Sequence, residues 1–168
     1  MNPGSPACCW LSDAAATDRL GQALAQTRPP QAVVHLRGEL GAGKSTLARA
    51  LLRALGVQGA IRSPTYTLVE RYPLASGGEA WHLDLYRIAD AGELEYLGLD
   101  TSEAVLWLVE WPDRGAGGLP PPDLAIELAV EDGGRRVQLI PASPVGASWL
   151  AGIDLPSVFT IRGLAGHS

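Results

Sequence analysis

One stretch of this chain narrows its possible folds more than any other: Gly38-Glu39-Leu40-Gly41-Ala42-Gly43-Lys44-Ser45, which matches G-x-x-x-x-G-K-[ST]. Glycines let such a loop curl until successive N–H groups point inward at phosphate oxygens. Lys44 then reaches the β- and γ-phosphates, and the Ser45 hydroxyl is a Mg²⁺ ligand. Lys44 is also the only lysine, the remaining basic residues all being arginine. A lone retained lysine marks a place that needs a compact ammonium rather than a planar fork. The flanks fit. Ala32-Val33-Val34-His35-Leu36 reads as a buried strand entering the loop. Thr46 to Leu55 reads as a helix leaving it, with Leu47, Leu51, Leu52 and Leu55 on one face and Gly56 suited to a left-handed C-cap. A helix N-terminus placed there offers unpaired N–H groups and the positive end of its dipole to an anion.

A length of 168 residues suits one domain with a sizeable core, and 46% apolar residues exclude a disordered or fibrous chain. No apolar run approaches the roughly 20 residues that span a bilayer. Met1-Asn2-Pro3-Gly4-Ser5-Pro6 lacks the basic and apolar regions of a signal peptide, and the adjacent pair Cys8-Cys9 offers neither a disulfide framework nor a spaced metal site. The expectation is a cytoplasmic protein with no membrane association. A net charge of −5 favours nucleotide and protein partners over direct binding of bare nucleic acid.

Residues 1–11 read as a loose lead, 12–152 as a single domain and 153–168 as a tail. Ser12-Asp13 caps a helix running to about Gln26. Leu68 to Tyr72 and Glu79 to Asp84 form a hairpin-like strand pair around Ala75-Ser76-Gly77-Gly78. Asp90 to Leu97 reads as a short helix, and Ala104 to Val109 as a central strand running into Glu110-Trp111-Pro112. Leu124 to Val130 and Arg135 to Ile140, turned by Asp132-Gly133-Gly134, are antiparallel material at the edge of a sheet that also holds parallel strands. The fold class is α/β.

A phosphate loop needs a carboxylate near Mg²⁺ and a group that orients the attacking water. Asp84 and Glu110 each end an apolar strand downstream of the loop, where such groups belong in an α/β sheet. Taken singly, each is equally a solvated residue at a strand end. Ser63-Pro64-Thr65 has the chemistry of a γ-phosphate sensor and equally that of a plain turn. His82 shares a strand face with Asp84, but it reads as a core histidine.

Leu40-Gly41-Ala42-Gly43-Lys44-Ser45-Thr46, Ser63-Pro64-Thr65-Tyr66-Thr67-Leu68-Val69-Glu70, His82-Leu83-Asp84-Leu85-Tyr86-Arg87, Glu93-Leu94-Glu95-Tyr96-Leu97-Gly98 and Glu110-Trp111-Pro112, in that order, resemble the bacterial TsaE family over roughly residues 12–140. That family is the ATPase component of the machinery that makes threonylcarbamoyladenosine beside the anticodon of tRNAs. The resemblance implies a P-loop NTPase-like three-layer fold, its mixed sheet parallel at the core and antiparallel at the margins. It implies ATP at Gly38, Glu39, Leu40, Gly41, Ala42, Gly43, Lys44, Ser45 and Thr46, and Mg²⁺ at Ser45, Asp84 and Glu110. Lys44, Asp84, Glu110 and Thr65 would be catalytic, with residues 61–72 a switch-like segment. Trp111 matches a position associated with the active site and Thr17 one near the nucleotide. Arg135 and Arg136 fall where the family has a nucleotide-proximal basic residue, in an open register. TsaD and TsaB are the implied partners, with tRNA reached through their complex. The chain departs from the family in having Lys-Ser for the commoner Lys-Thr.

Three rival readings differ in what they require. A GTPase needs [NT]-K-x-D, which a chain whose only lysine is Lys44 lacks. A small-molecule kinase needs an arginine-rich lid, and no such cluster is visible. A non-hydrolysing nucleotide-gated adaptor would hold Mg²⁺ without activating water. Arg87, Arg114, Arg135 and Arg136 are the only arginines available near the site, so hydrolysis by the isolated chain is expected to be slow.

Overall fold

The computed structural model describes residues 4–99 and 103–155. Seven strands form one sheet: β1 (Ala7–Leu11), β2 (Ala32–Arg37), β3 (Val69–Pro73), β4 (Glu79–Asp84), β5 (Ala104–Glu110), β6 (Leu124–Glu131) and β7 (Gly134–Pro141). Their spatial order is β1-β7-β6-β2-β5-β4-β3. The inner four, β6, β2, β5 and β4, pair in parallel. The pairs β6–β7, β7–β1 and β4–β3 are antiparallel. The sheet is therefore mixed, parallel at the centre and antiparallel at both margins.

Helices α1 (Ala14–Gln26) and α2 (Lys44–Ala54) lie on one face. Their apolar stripes, Leu20 and Leu24 on α1 and Leu47, Leu51 and Leu52 on α2, join Val34, Leu36, Leu106, Leu108, Ile126, Val137 and Leu139 in the main core. The two helices run very close together. A Cβ at Gly21 would sit 2.7 Å from the backbone carbon of Ala50, so only glycine lets α1 approach α2 there. A second cluster, Trp81, Leu83, Trp107 and Val109 with Leu85, Ile88 and Leu94, fills the other face. Its cover is a thin third layer of two 3₁₀ turns, Ala91–Leu97 and Pro112–Gly115. Asp90 and Glu93 close a reciprocal capping box on the first turn.

Three boundaries differ from the sequence reading. Residues 7–11 are no loose lead: they pair with β7 from Ala7↔Leu139 to Leu11↔Arg135 and bury Cys9 and Leu11. On this side of the sheet, that strand and not the β6–β7 hairpin is the edge, β3 being the edge on the other, and β6 lies parallel to β2. At the other end, Ser143 caps a helix α3 (Pro144–Ala151) whose buried Trp149 donates its indole N–H to the Leu24 carbonyl at 3.1 Å. Leu155, 5% exposed, and Ile153 pack on the main core, so residues 153–155 belong to the domain rather than to a tail. The remainder of the expected tail lies outside the described residues. Among the described residues, no helix is long and apolar enough to cross a membrane.

Candidate functional site

The register of the parallel strands assembles the site. Asp84 on β4 pairs with Glu110 on β5, and Glu110 pairs with Leu36 on β2. Residues directly paired across a sheet point to the same face. His82 and Asp84, two apart on β4, therefore share a face with Leu108 and Glu110. That face is the one α2 covers, and α2 begins at Lys44, immediately above the carboxylates.

The loop between β2 and α2 takes the shape its glycines permit. Gly38, Gly41 and Gly43 have φ of 148°, 80° and 105°. A Cβ at Gly38 would lie 2.4 Å from the Leu128 carbonyl oxygen, so a side chain there is excluded twice over, by conformation and by space. Gly43 occupies the cap of α2 with no side-chain capping bond, which leaves the first-turn N–H groups to an external acceptor. Lys44 is 5% exposed. Its ammonium donates to the carbonyls of Gly38 and Glu39 and lies 4.4 Å from the centre of the Trp111 ring. Burial lowers its pKa, while Glu110, Asp84 and Glu39 pull it back up. These carboxylates keep a cation stable in a pocket that would otherwise disfavour it.

Beneath Lys44, the Ser45 hydroxyl contacts both Glu110 oxygens, at 3.0 and 2.8 Å. His82 Nε2 lies 2.6 Å from Glu110 Oε2. Asp84 Oδ1 accepts the Tyr86 N–H at 3.0 Å, and its Oδ2 accepts from the Thr65 hydroxyl at 3.4 Å. Thr65 itself shares a 2.7 Å contact with Ser63. Trp111 sits at φ 57°, a left-handed conformation that costs an L-residue roughly 1–2 kcal/mol. That backbone turn lays its ring against both Lys44 and Tyr86, whose ring centre is 5.0 Å away.

A cavity of about 280 Å³ is lined by Leu40–Thr46, Thr65, Asp84, Tyr86, Glu110, Trp111 and Arg135. The structure thus gathers most of the residues expected from the sequence. Gly38 and Glu39 face elsewhere. They line a neighbouring cavity of about 480 Å³, the largest described, and contribute to the phosphate loop through the carbonyls that hold Lys44. A third cavity, about 200 Å³, adjoins the loop at Gly43 and Thr46. Thr17, Leu11, Gly134 and Arg135 also line it. Arg135 and Arg136 diverge in the structure. Arg135 Nε donates to the Ala42 carbonyl at 3.0 Å, whereas Arg136 lines the 480 Å³ cavity. Sequence reasoning did not find Leu11, Gly134 or the contact of His82 with Glu110. The i,i+2 spacing of His82 and Asp84 was the available signal, and only the β4–β5 register gives it meaning.

The donor set, one hydroxyl and two carboxylates, is hard and oxygen-based. It fits Mg²⁺, which is bound by one or two carboxylates completed by substrate phosphates and water. Among the described residues no group of three or more His, Cys, Asp or Glu could hold an ion by itself.

Strand, glycine loop and a helix opening on Lys-Ser, set on a parallel-centred sheet with two carboxylates at neighbouring strand ends, define a P-loop NTPase-like α/β protein. A family model described as "Threonylcarbamoyl adenosine biosynthesis protein TsaE" matches residues 11–137, and the chain belongs to the TsaE family. It is 43% identical over 116 residues to the tRNA threonylcarbamoyladenosine biosynthesis protein TsaE of Haemophilus influenzae, covering 68% of this chain and 73% of that one. Against the protein of the same name from Streptomyces coelicolor it is 37% identical over 136 residues, covering 77% and 91%. A crystal structure of YdiB from Bacillus subtilis superposes with a TM-score of 0.72 at 22% identity, over 88% of this chain and 93% of that one, and so shares the fold.

Proposed function

We propose that this protein is a Mg²⁺-dependent ATPase that supports threonylcarbamoylation of tRNA adenosine, acting in the cytoplasm with TsaD and TsaB. The observation that carries the reading is the stack of Lys44, Ser45 and Glu110 at the start of α2, with Asp84 paired to Glu110 on the next strand. Its family membership supports the pathway.

In this reading Lys44 exchanges its carbonyl partners for β- and γ-phosphate oxygens, and the N–H groups of residues 41–46 enclose them. Ser45, Glu110 and Asp84 would hold Mg²⁺, which would supply Lewis-acid neutralisation of phosphate charge. Glu110 would also orient the attacking water. Thr65, already in contact with Asp84, brings residues 61–72 to the γ-phosphate side of the site. The ribose and base occupy the cavity beside Thr17, Thr46 and Gly134. Arg87 stacks 4.4 Å from the Tyr66 ring, and Arg135 is spent on loop carbonyls. Neither is set to stabilise transferring charge, which supports slow hydrolysis until partners complete the site.

Reconstitution of tRNA modification with the TsaD–TsaB pair tests this, with and without the protein and ATP. The reading requires modification to depend on both, together with release of phosphate. Modification that depends on the protein without phosphate release would instead identify a nucleotide-gated adaptor.

A further inference from the structure

We infer that His82 is a positioning residue for Glu110, fixing the carboxylate that it shares with Ser45. The inference rests on the ATPase reading above and adds a residue to its machinery.

Two histidines are buried in this sheet, and they differ in kind. His35, 7% exposed, has no hydrogen-bond partner at either ring nitrogen and shows what a histidine that merely fills space looks like here. His82, 0% exposed, holds Glu110 Oε2 at 2.6 Å through Nε2, while Nδ1 has no partner. The short contact is thus the imidazole's single polar interaction of this kind, and it is made to a carboxylate. The strand register leaves little freedom in it. His82 pairs with Leu108, two residues before Glu110, so its ring reaches diagonally along β5. At 0% exposure it is enclosed by its neighbours on every side.

Glu110 is 3% exposed and shares its oxygens between Ser45 and His82. The Ser45 hydroxyl has one proton to donate, and as a metal ligand it would keep that proton and serve Oε1 of Glu110. His82 is the donor to Oε2, and it holds the carboxylate in the plane it already occupies. Without it, one oxygen of a buried carboxylate loses its fixed partner and the carboxylate is free to rotate. Misplacement of a reacting group by about 1 Å costs on the order of a hundredfold in rate.

The test compares His82→Leu, which fills the space and removes the donor, with His82→Gln, whose amide N–H stands near the place of Nε2. Steady-state phosphate release with TsaD and TsaB present, and calorimetry of ADP binding over a Mg²⁺ series, are measured for both. For His82→Leu we expect kcat about ten- to a hundredfold lower with KM for ATP within about twofold, and a higher Mg²⁺ requirement for ADP binding. His82→Gln should recover most of both losses. On a Glu110→Gln background, His82→Leu should lower neither quantity further. Parental kcat and Mg²⁺ requirement in His82→Leu, failure of His82→Gln to recover either, or additive losses in the double variant would each overturn the inference. Should His82→Leu fail to fold, His82→Asn, too short to reach Glu110, makes the same comparison with His82→Gln. A parent protein without Mg²⁺-dependent hydrolysis would sink the ATPase reading instead, and the calorimetric series would still decide the role of His82.

Discussion

In the parallel centre of the sheet, on β4 and β5, His82, Asp84 and Glu110 are 0%, 7% and 3% exposed. In an antiparallel margin, on β7, Arg135 is half-buried and Arg136 is exposed. Buried polar groups must satisfy one another, because each unpaired one costs roughly 1–3 kcal/mol. The central residues do so as a chain, His82 to Glu110 to Ser45, with Thr65 on Asp84. The margin has no such obligation. It gives the loop one guanidinium and gives the cavity at Thr17 the backbone of Gly134 and the side chain of Leu11. The centre is thus built for chemistry that requires fixed geometry, and the margin for holding the loop and shaping a cavity.

Lys44→Ala should produce the largest break. It removes a charge-assisted contact to phosphate, each such bond being worth about 1.5–3 kcal/mol, and the fold should persist because α2 keeps its apolar face. Calorimetry should find nucleotide affinity lowered by on the order of a hundredfold or more when both phosphate contacts are lost. Unchanged affinity would remove the loop from the site. Asp84→Asn should act on turnover instead. Nucleotide binding should largely persist while phosphate release falls by roughly tenfold to a thousandfold, the scale of a lost metal or water contact.

Leu11→Ala probes the margin. Leu11 is 1% exposed in the main core, so the substitution should cost about 2–5 kcal/mol in a denaturant melt. A change within half a kcal/mol would return residues 7–11 to the loose lead that the sequence suggested, on the scale of about ±0.5 kcal/mol for surface substitutions.

His35 gives the smallest effect, and one that depends on pH. Burial, helped by Arg37 and opposed by Asp113, pushes its pKa from the usual 6.5 down to about 4. Below pH 6.5 the unfolded chain takes up a proton that the folded chain refuses until about pH 4. Stability should therefore decline as pH falls through that window. His35→Phe should flatten this part of the profile in melts taken from pH 7 to 4, and an unchanged slope would show that other groups set it.

The centre was legible in the sequence because its signals are local. An apolar run, a fixed glycine spacing and a carboxylate at a strand end each fit within about ten residues, and Asp84 and Glu110 were found in that way. Of the four buried polar or charged residues gathered there, Lys44, Asp84, Glu110 and His82, the first three are candidates from the sequence alone. The margin was not legible because its signals are distant. Ala7-Cys8-Cys9-Trp10-Leu11 has no alternation of polar and apolar residues, and its partner strand lies more than a hundred residues away. His82 is the buried histidine that the sequence suggests, but its partner depends on a register that no local pattern encodes.

The central claim, that the buried carboxylates drive Mg²⁺-dependent hydrolysis, is tested most directly by phosphate release from ATP over a Mg²⁺ series. The parent and Glu110→Gln are compared with TsaD and TsaB present. The parent should release phosphate only as Mg²⁺ is added, and Glu110→Gln should be slower by roughly tenfold to ten-thousandfold at saturating nucleotide. Equal rates in the two proteins, or release that is indifferent to Mg²⁺, would contradict the account.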